Sequence, residues 1–168
     1  MFETIVESAL ALLLIVGLPA LFIFFVLKGA FIGKPLPTTV ILPGYVLAIS
    51  ASPLETAGIV AVSSAGYVCG QLIIYFGAQR GGLTFVRSAP RVHITDDQLR
   101  RGEALFEKYG GAGIFFTNFV PYVRGLILVP AGMASYPVVK VVFYAYTSTL
   151  IYHSVIVVLA LGAVRAIF

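Results

Sequence analysis

The sequence predicts an all-α integral membrane protein: about three full spans, two broken re-entrant hairpins forming an inverted repeat, and an amphipathic surface helix. Three observations carry this expectation. Of 168 residues only 11 are basic and 7 acidic, or 11% charged, against about 25% in an ordinary soluble domain. Hydrophobic residues reach 60% and mean hydropathy is +1.01, more apolar surface than one domain of this length hides from water. The charge-free runs fall into two kinds, some uninterrupted and some punctuated by proline and glycine. Such a composition excludes a soluble enzyme, a disordered chain and a nucleic-acid module. The net charge of +4 does not alter that, because the basic residues are not interleaved with exposed aromatics. Residues 1–168 read as a single membrane domain.

The uninterrupted runs are residues 8–27 (between Glu7 and Lys28), 56–79 (between Glu55 and Arg80) and 141–164 (between Lys140 and Arg165). Each reaches the ~20 residues that a helix needs to cross ~30 Å of hydrocarbon. The first is not expected to be a cleaved signal. Glu3 and Glu7 stand where such a signal carries Lys or Arg, and its apolar stretch is too long.

The interrupted runs are expected to enter the membrane, break and turn back. Hairpin one, about 35–53, contains Pro35, Pro37, Pro43, Gly44 and Pro53. Proline removes a backbone donor and clashes with the preceding turn, so a straight helix is not expected there. Hairpin two, about 110–137, contains Pro121, Pro130, Pro137 and several glycines, among them Gly132, with Arg124 in its middle. Broken backbone at membrane depth survives only when buried in protein or lining a watery cavity. Residues 41–53 (ILPGYVLAISASP) and 128–137 (LVPAGMASYP) echo each other, and each precedes a long span. Inverted repeats with discontinuous helices are a transporter design.

Between the halves, the polar segment 80–109 holds six of the eleven basic residues. The positive-inside rule places it in the cytoplasm of a multi-pass cell-membrane protein. Lys28 and Lys34 pull the other way. Within the segment, Thr95 and Gln98 have capping-box spacing with Asp96 and Asp97 in the first turn. Leu99, Phe106 and Tyr109 form a loose apolar stripe, and Gly110–Gly111 stops the helix.

Arg124 is the sharpest chemical signal. An intramembrane arginine usually marks a pathway or a ligand, and its guanidinium forks onto phosphate or carboxylate. No acid lies deep in the sequence to pair with it, since Glu55 falls at a membrane boundary. An anion from outside the chain is therefore expected. Thr38, Thr39, Asn118, Pro121 and Tyr122 lie at or beside the breaks and are expected to orient a headgroup or to cap backbone. Gln71 lies on the span carrying Gly66-x-x-x-Gly70, a close-packing face that, if exposed, permits a homodimer. His153, near Tyr144 and Tyr152, reads as a histidine hydrogen-bonded to a neighbouring helix, or as a proton relay. Cys69 stands alone, so neither an internal disulfide nor a multi-cysteine metal site is expected. No catalytic constellation, metal or cofactor is expected.

The run Phe115 to Arg124 (FFTNFVPYVR), followed by Pro130-Ala131-Gly132-Met133, resembles the signature of the DedA membrane proteins, also called the SNARE-associated or VTT-domain family. That pattern is roughly R-F-x-P-x-x-R, then P-x-A-G. Pro37-Thr38-Thr39 is similar to the family's P-G-[DE] hairpin. Gly66-x-x-x-Gly70-Gln71-x-x-x-Tyr75-x-Gly77-x-x-Arg80-x-Gly82 is similar to its glycine-rich span, where an acid follows the second glycine. The resemblance covers about residues 25–165. It implies two opposed re-entrant hairpins with flanking helices, and a role in moving lipids between leaflets.

The departures are specific. Asn118 stands at the first arginine position, Thr39 at the hairpin acid and Gln71 at the acid after the glycine pair. The carboxylates that take up protons in relatives are thus replaced, while Arg124 remains. The expected function is a flippase or scramblase for a phosphate-bearing membrane lipid, a phospholipid or polyprenyl phosphate, with its headgroup at Arg124. The alternatives are a small-anion or ion secondary transporter and a non-transporting membrane scaffold.

Overall fold

The computed structural model describes residues 11–30, 38–88, 95–120 and 124–167. In chain order its helices are α1 (Leu18–Gly29), α2 (Thr38–Ala48), α3 (Pro53–Ser88), α4 (Asp96–Tyr109), α5 (Gly111–Thr117), α6 (Leu128–Met133) and α7 (Val138–Ile167). Residues 11–16, ahead of α1, are also helical. The described residues contain no strand.

Among the described residues two helices are long and apolar enough to cross a membrane, over Pro53–Gly82 and Val138–Ala166. The first expected span is different: it breaks at Gly17, where φ is 76° and ψ −150°. That backbone region favours glycine. Pro19, in the first turn of α1, has no N–H to continue a helix across the break. α1 itself has 12 residues; with the helical residues 11–16 ahead of it, the described part of this stretch is a helix broken at Gly17, and residues 8–10 lie outside the described ones.

Hairpin one also differs from expectation. Pro35 and Pro37 lie outside the described residues, but Thr38–Ala48 is one helix with Pro43 inside it. Pro43 forfeits only the bond to the Thr39 carbonyl, in the exposed first turn, and its ring is buried. Gly44 follows in mid-helix. The break comes at the end of the helix instead.

There the internal echo becomes a backbone fact. Ser50 and Ser135 both sit at φ 50°. Ala51 and Ser50 donate their N–H groups to the carbonyls of Val46 (3.1 Å) and Leu47 (3.0 Å). Tyr136 and Ser135 donate theirs to Ala131 (3.0 Å) and Gly132 (2.9 Å). Both sets are the paired bonds of a Schellman ending, with serine in the place glycine usually takes. Pro53 then opens α3 and Pro137 precedes α7. α3 starts with a capping box: Ser52 N–H meets Glu55 Oε2 at 2.8 Å and Glu55 N–H meets Ser52 Oγ at 3.4 Å.

α3 is the hub. Its Gly66 and Gly70 take α1 at backbone distance: a methyl at Gly66 would come 2.6 Å from the Phe22 carbonyl oxygen, and one at Gly70 would overlap Val26. The glycine pair is therefore filled within the chain, and a homodimer would need another surface. At its other end α3 receives α6, where a methyl on Gly132 would overlap the Tyr75 carbonyl. Pro130, third in α6, needs no intrahelical N–H and is buried. Two apolar clusters result. One joins α1, α2, α3 and α7 through Phe25, Leu42, Tyr45, Tyr67 and Val157. The other joins α3, α5 and α7 through Tyr75, Ile114 and Val141, and includes Ile127 and Leu128.

α4 packs on hairpin two instead of only lying on a surface. Gly102 is buried against Leu126, and Leu105 and Phe106 pack on the second cluster, whereas Tyr109 stays exposed. Gly110, at φ 53°, ends α4 as expected. The side chains of Gln98 and Leu99 lie outside the described residues. On α7, Val139, Phe143, Val155, Val158 and Leu159 face outward, an apolar surface suited to acyl chains.

Candidate functional site around Arg124

In α3, Ser64, Tyr67, Gln71 and Tyr75 recur at helical spacing and share one face. α7 opposes them with Ser148, Tyr152 and His153. Hairpin two breaks between α5 and α6 and inserts Asn118 and Arg124 between the two long helices. The break has local causes. Thr117 Oγ1 bonds back to the Gly113 carbonyl at 2.8 Å, a competitor for helix propagation. Gly125 takes φ 83°, and the Arg124 N–H turns back onto the Val120 carbonyl at 3.1 Å.

The result is a polar seam of three rungs. In the first, the Ser64 hydroxyl lies 3.0 Å from His153 Nδ1. In the second, the Arg124 guanidinium carbon lies 4.0 Å from the centre of the Tyr67 ring and 4.3 Å from that of Tyr152. In the third, Gln71 Nε2 donates to Asn118 Oδ1 at 2.9 Å, and Asn118 Nδ2 donates to Ser148 Oγ at 2.8 Å. The rungs follow one another by about a turn, because Tyr67 and Gln71, like Ser148 and Tyr152, are four residues apart.

The electrostatics of the seam are one-sided. Between Glu55 and Asp96 the sequence holds no acid, and there is none from residue 108 to the end. Arg124 Nε and Nη2 are buried without a hydrogen-bond partner among the described residues. These two nitrogens form one edge of the guanidinium, the edge that accommodates both oxygens of a carboxylate or phosphate side-on. The tyrosine rings provide cation–π contacts. Arg124 also lies within electrostatic reach of Lys28, at the end of α1. Gln71 Oε1, Ser63 Oγ, Thr149 Oγ1 and His153 Nε2 are buried and unpartnered as well. Every such atom among the described residues belongs to α3, α7 or Arg124.

The sequence-expected residues are thus partly brought together. Asn118 and Gln71 meet each other, one turn from Arg124. Thr38 and Thr39 form the first turn of α2, with Thr39 exposed. No hydrogen bond or ring contact joins them to Arg124 among the described residues. Pro121 and Tyr122 lie outside the described residues. Sequence reasoning missed Tyr67, Tyr152, Ser64 and Ser148. The signal available was the polar spacing of Ser64, Tyr67, Gln71 and Tyr75 inside an apolar span.

The VTT domain family matches residues 36–163. This chain belongs to that family. The VTT-domain chain is 31% identical over 116 residues to an uncharacterized membrane protein, YkoX, of Bacillus subtilis strain 168, covering 68% of this chain and 52% of that one. It is 33% identical over 138 residues to an alkaline phosphatase-like protein of Lactococcus lactis subsp. cremoris, covering 77% and 62%. It is also 33% identical over 91 residues to undecaprenyl phosphate transporter A of Bacillus subtilis strain 168, covering 52% and 46%. The chain therefore spans about half to three fifths of the length of these relatives. No solved structure matches it. With its long apolar helices, this VTT-domain chain is a membrane protein.

Proposed function

We propose that this protein moves a phosphate-bearing anionic lipid between leaflets, with the headgroup held side-on by Arg124 and the tails left in the bilayer. The observation that carries this reading is the buried Nε/Nη2 edge of Arg124, framed by Tyr67 and Tyr152 on a seam without an acid. A cation whose fork edge is buried in this way is costly without an anion. The likeness to an undecaprenyl phosphate transporter supports a polyprenyl phosphate as the lipid. The breaks after α2 and between α5 and α6 serve as the re-entrant turns, and rocking of one half against the other exposes the site to each side. Gln71 and Asn118 brace the site from the next turn, in the cell membrane and with segment 80–109 on the cytoplasmic side.

The test is transbilayer movement of a polyprenyl phosphate in proteoliposomes, wild type beside Arg124→Gln. Movement in the wild type that is lost in the variant is expected. Equal movement in both removes the site from the mechanism. Uptake of a water-soluble anion without lipid movement overturns the lipid reading in favour of a solute transporter.

A further inference from the structure

His153 shares its surroundings with Arg124. Its ring is fully buried, with ring centres 6.0 Å from both Tyr67 and Tyr152, the two rings that face the guanidinium. Phe25 of α1 closes it edge-on at 5.0 Å. The ring's two nitrogens have distinct roles. The Ser64 hydroxyl hydrogen is committed to the Val60 carbonyl at 2.7 Å. Ser64 Oγ is then the acceptor of its 3.0 Å contact with His153, and Nδ1 carries the hydrogen. That leaves Nε2 as a bare acceptor, and it is buried without a donor among the described residues. The titratable or charged groups that face it are Arg124 on the break, Tyr67 on α3 and Tyr152 on its own helix; beyond them, Lys28 on α1 reaches Arg124 and Tyr45 on α2 shares an apolar cluster with Tyr67 and Phe25. None is an acid.

Neighbouring rungs of the seam thus offer two unlike polar features: a donor edge on Arg124 and an acceptor nitrogen on His153, both against Tyr67 and Tyr152. A phosphate diester offers acceptor oxygens only, so one of them would face the Nε2 lone pair. A phosphate monoester in its singly charged form carries a P–O–H and satisfies both. We propose that His153 Nε2 is a specificity-determining contact that accepts a hydrogen bond from the P–O–H of a phosphate monoester, so that the site selects monoester over diester headgroups. In that contact the proton stays on the phosphate oxygen, the P–O–H donates to the Nε2 lone pair, and the single negative charge of the monoester rests on the oxygens that Arg124 faces. Ser64 holds the ring in the tautomer that makes this possible. A site built around a particular hydrogen bond rejects analogues that cannot make it, because its buried groups are left unpaired. The inference rests on the anion reading of Arg124.

The experiment titrates the full chain in detergent with short-chain phosphatidic acid as monoester and short-chain phosphatidylglycerol as diester. Wild type, His153→Gln and Arg124→Gln are compared. The wild type is expected to prefer the monoester by at least about tenfold, the equivalent of one hydrogen bond to a charged group. His153→Gln is expected to lose that preference while keeping its affinity for the diester, and Arg124→Gln to lose both ligands. If Arg124→Gln binds both as the wild type does, or the wild type binds neither, the anion reading falls and this inference with it. If Arg124→Gln loses both but His153→Gln keeps the preference, only the role of His153 is overturned. A second measurement decides the matter should His153→Gln fail to fold. With His93→Gln leaving one 15N-labelled histidine, Nε2 is expected to move from its unprotonated position on adding the monoester and not on adding the diester. A nitrogen that stays in place with the monoester bound overturns the inference.

Discussion

Gln71 on α3 and Asn118 at the end of α5 are joined side chain to side chain, Nε2 to Oδ1, at 2.9 Å in the buried interior. Asn118 continues to Ser148 at 2.8 Å and reaches the Ala145 carbonyl at 3.5 Å. One amide therefore ties the broken hairpin to both long helices. In the resemblance to the family signature these positions correspond to an acid and an arginine, and here a neutral pair occupies them.

That pairing predicts a charge exchange. Asn118→Arg alone buries a second cation one turn from Arg124 and is expected to cost about 3–5 kcal/mol, whereas Gln71→Asp alone, with Arg124 one turn away, is expected to cost less. The double variant is expected to recover at least about 1 kcal/mol of this as coupling. Thermal unfolding of the four proteins in detergent, read as a double-mutant cycle, measures it. Additive losses would show that the two positions do not act as a pair.

The frame around Arg124 predicts a contrast between aromatic and aliphatic replacements. Tyr67→Phe and Tyr152→Phe keep the π face, whereas Tyr67→Leu and Tyr152→Leu each remove about 0.5–2 kcal/mol of cation–π interaction. Arg124→Lys loses the planar fork and is expected to bind a phosphate monoester at least about tenfold more weakly. Isothermal titration with short-chain phosphatidic acid reads all five variants.

The contact between α1 and α3 predicts opposite fates for two glycines on one helix. A side chain at Gly70 would overlap the backbone of Val26, while at Gly58 it meets open space. Gly70→Leu is expected to cost 1–3 kcal/mol or more by overpacking (an order-of-magnitude figure of about this size). Gly58→Ala is expected to be neutral or slightly stabilising, as an exposed helix position where alanine is favoured by about 1 kcal/mol. Monodispersity and unfolding temperature distinguish them.

The two Schellman endings predict stabilisation by glycine. Ser50 and Ser135 hold φ 50°, a conformation that costs an L-residue roughly 1–2 kcal/mol. Ser50→Gly and Ser135→Gly are each expected to gain about 0.5–1 kcal/mol, after allowing for the freer unfolded chain. Valine at either site is expected to lower the unfolding temperature.

Much of the architecture was legible in residue order because it depends on local chemistry. The spans at 56–79 and 141–164 follow from uncharged length, and the end of α4 follows from Gly110. The echo of 41–53 in 128–137 was visible as punctuation, although its meaning, two identical helix endings, needed backbone bonds. Pro43 misled because proline's cost depends on which carbonyl loses its partner. The loss falls on an exposed first turn, so α2 continues. Residues 8–27 show the converse: uncharged length counts residues, but Gly17 and Pro19 decide whether they form one continuous helix.

What the sequence by itself determined is the solvent this protein lives in, the family it belongs to and the presence of an arginine without an acid. Those properties follow from composition and short-range spacing, which every residue carries wherever the chain goes. Only the tertiary structure decided that Tyr67 and Tyr152 face that arginine, that Asn118 answers Gln71, and that His153 stands on Ser64 with Nε2 bare. These pairs lie 28 to 89 residues apart. Their meeting depends on how α3 and α7 align and on where hairpin two breaks, which no local pattern encodes.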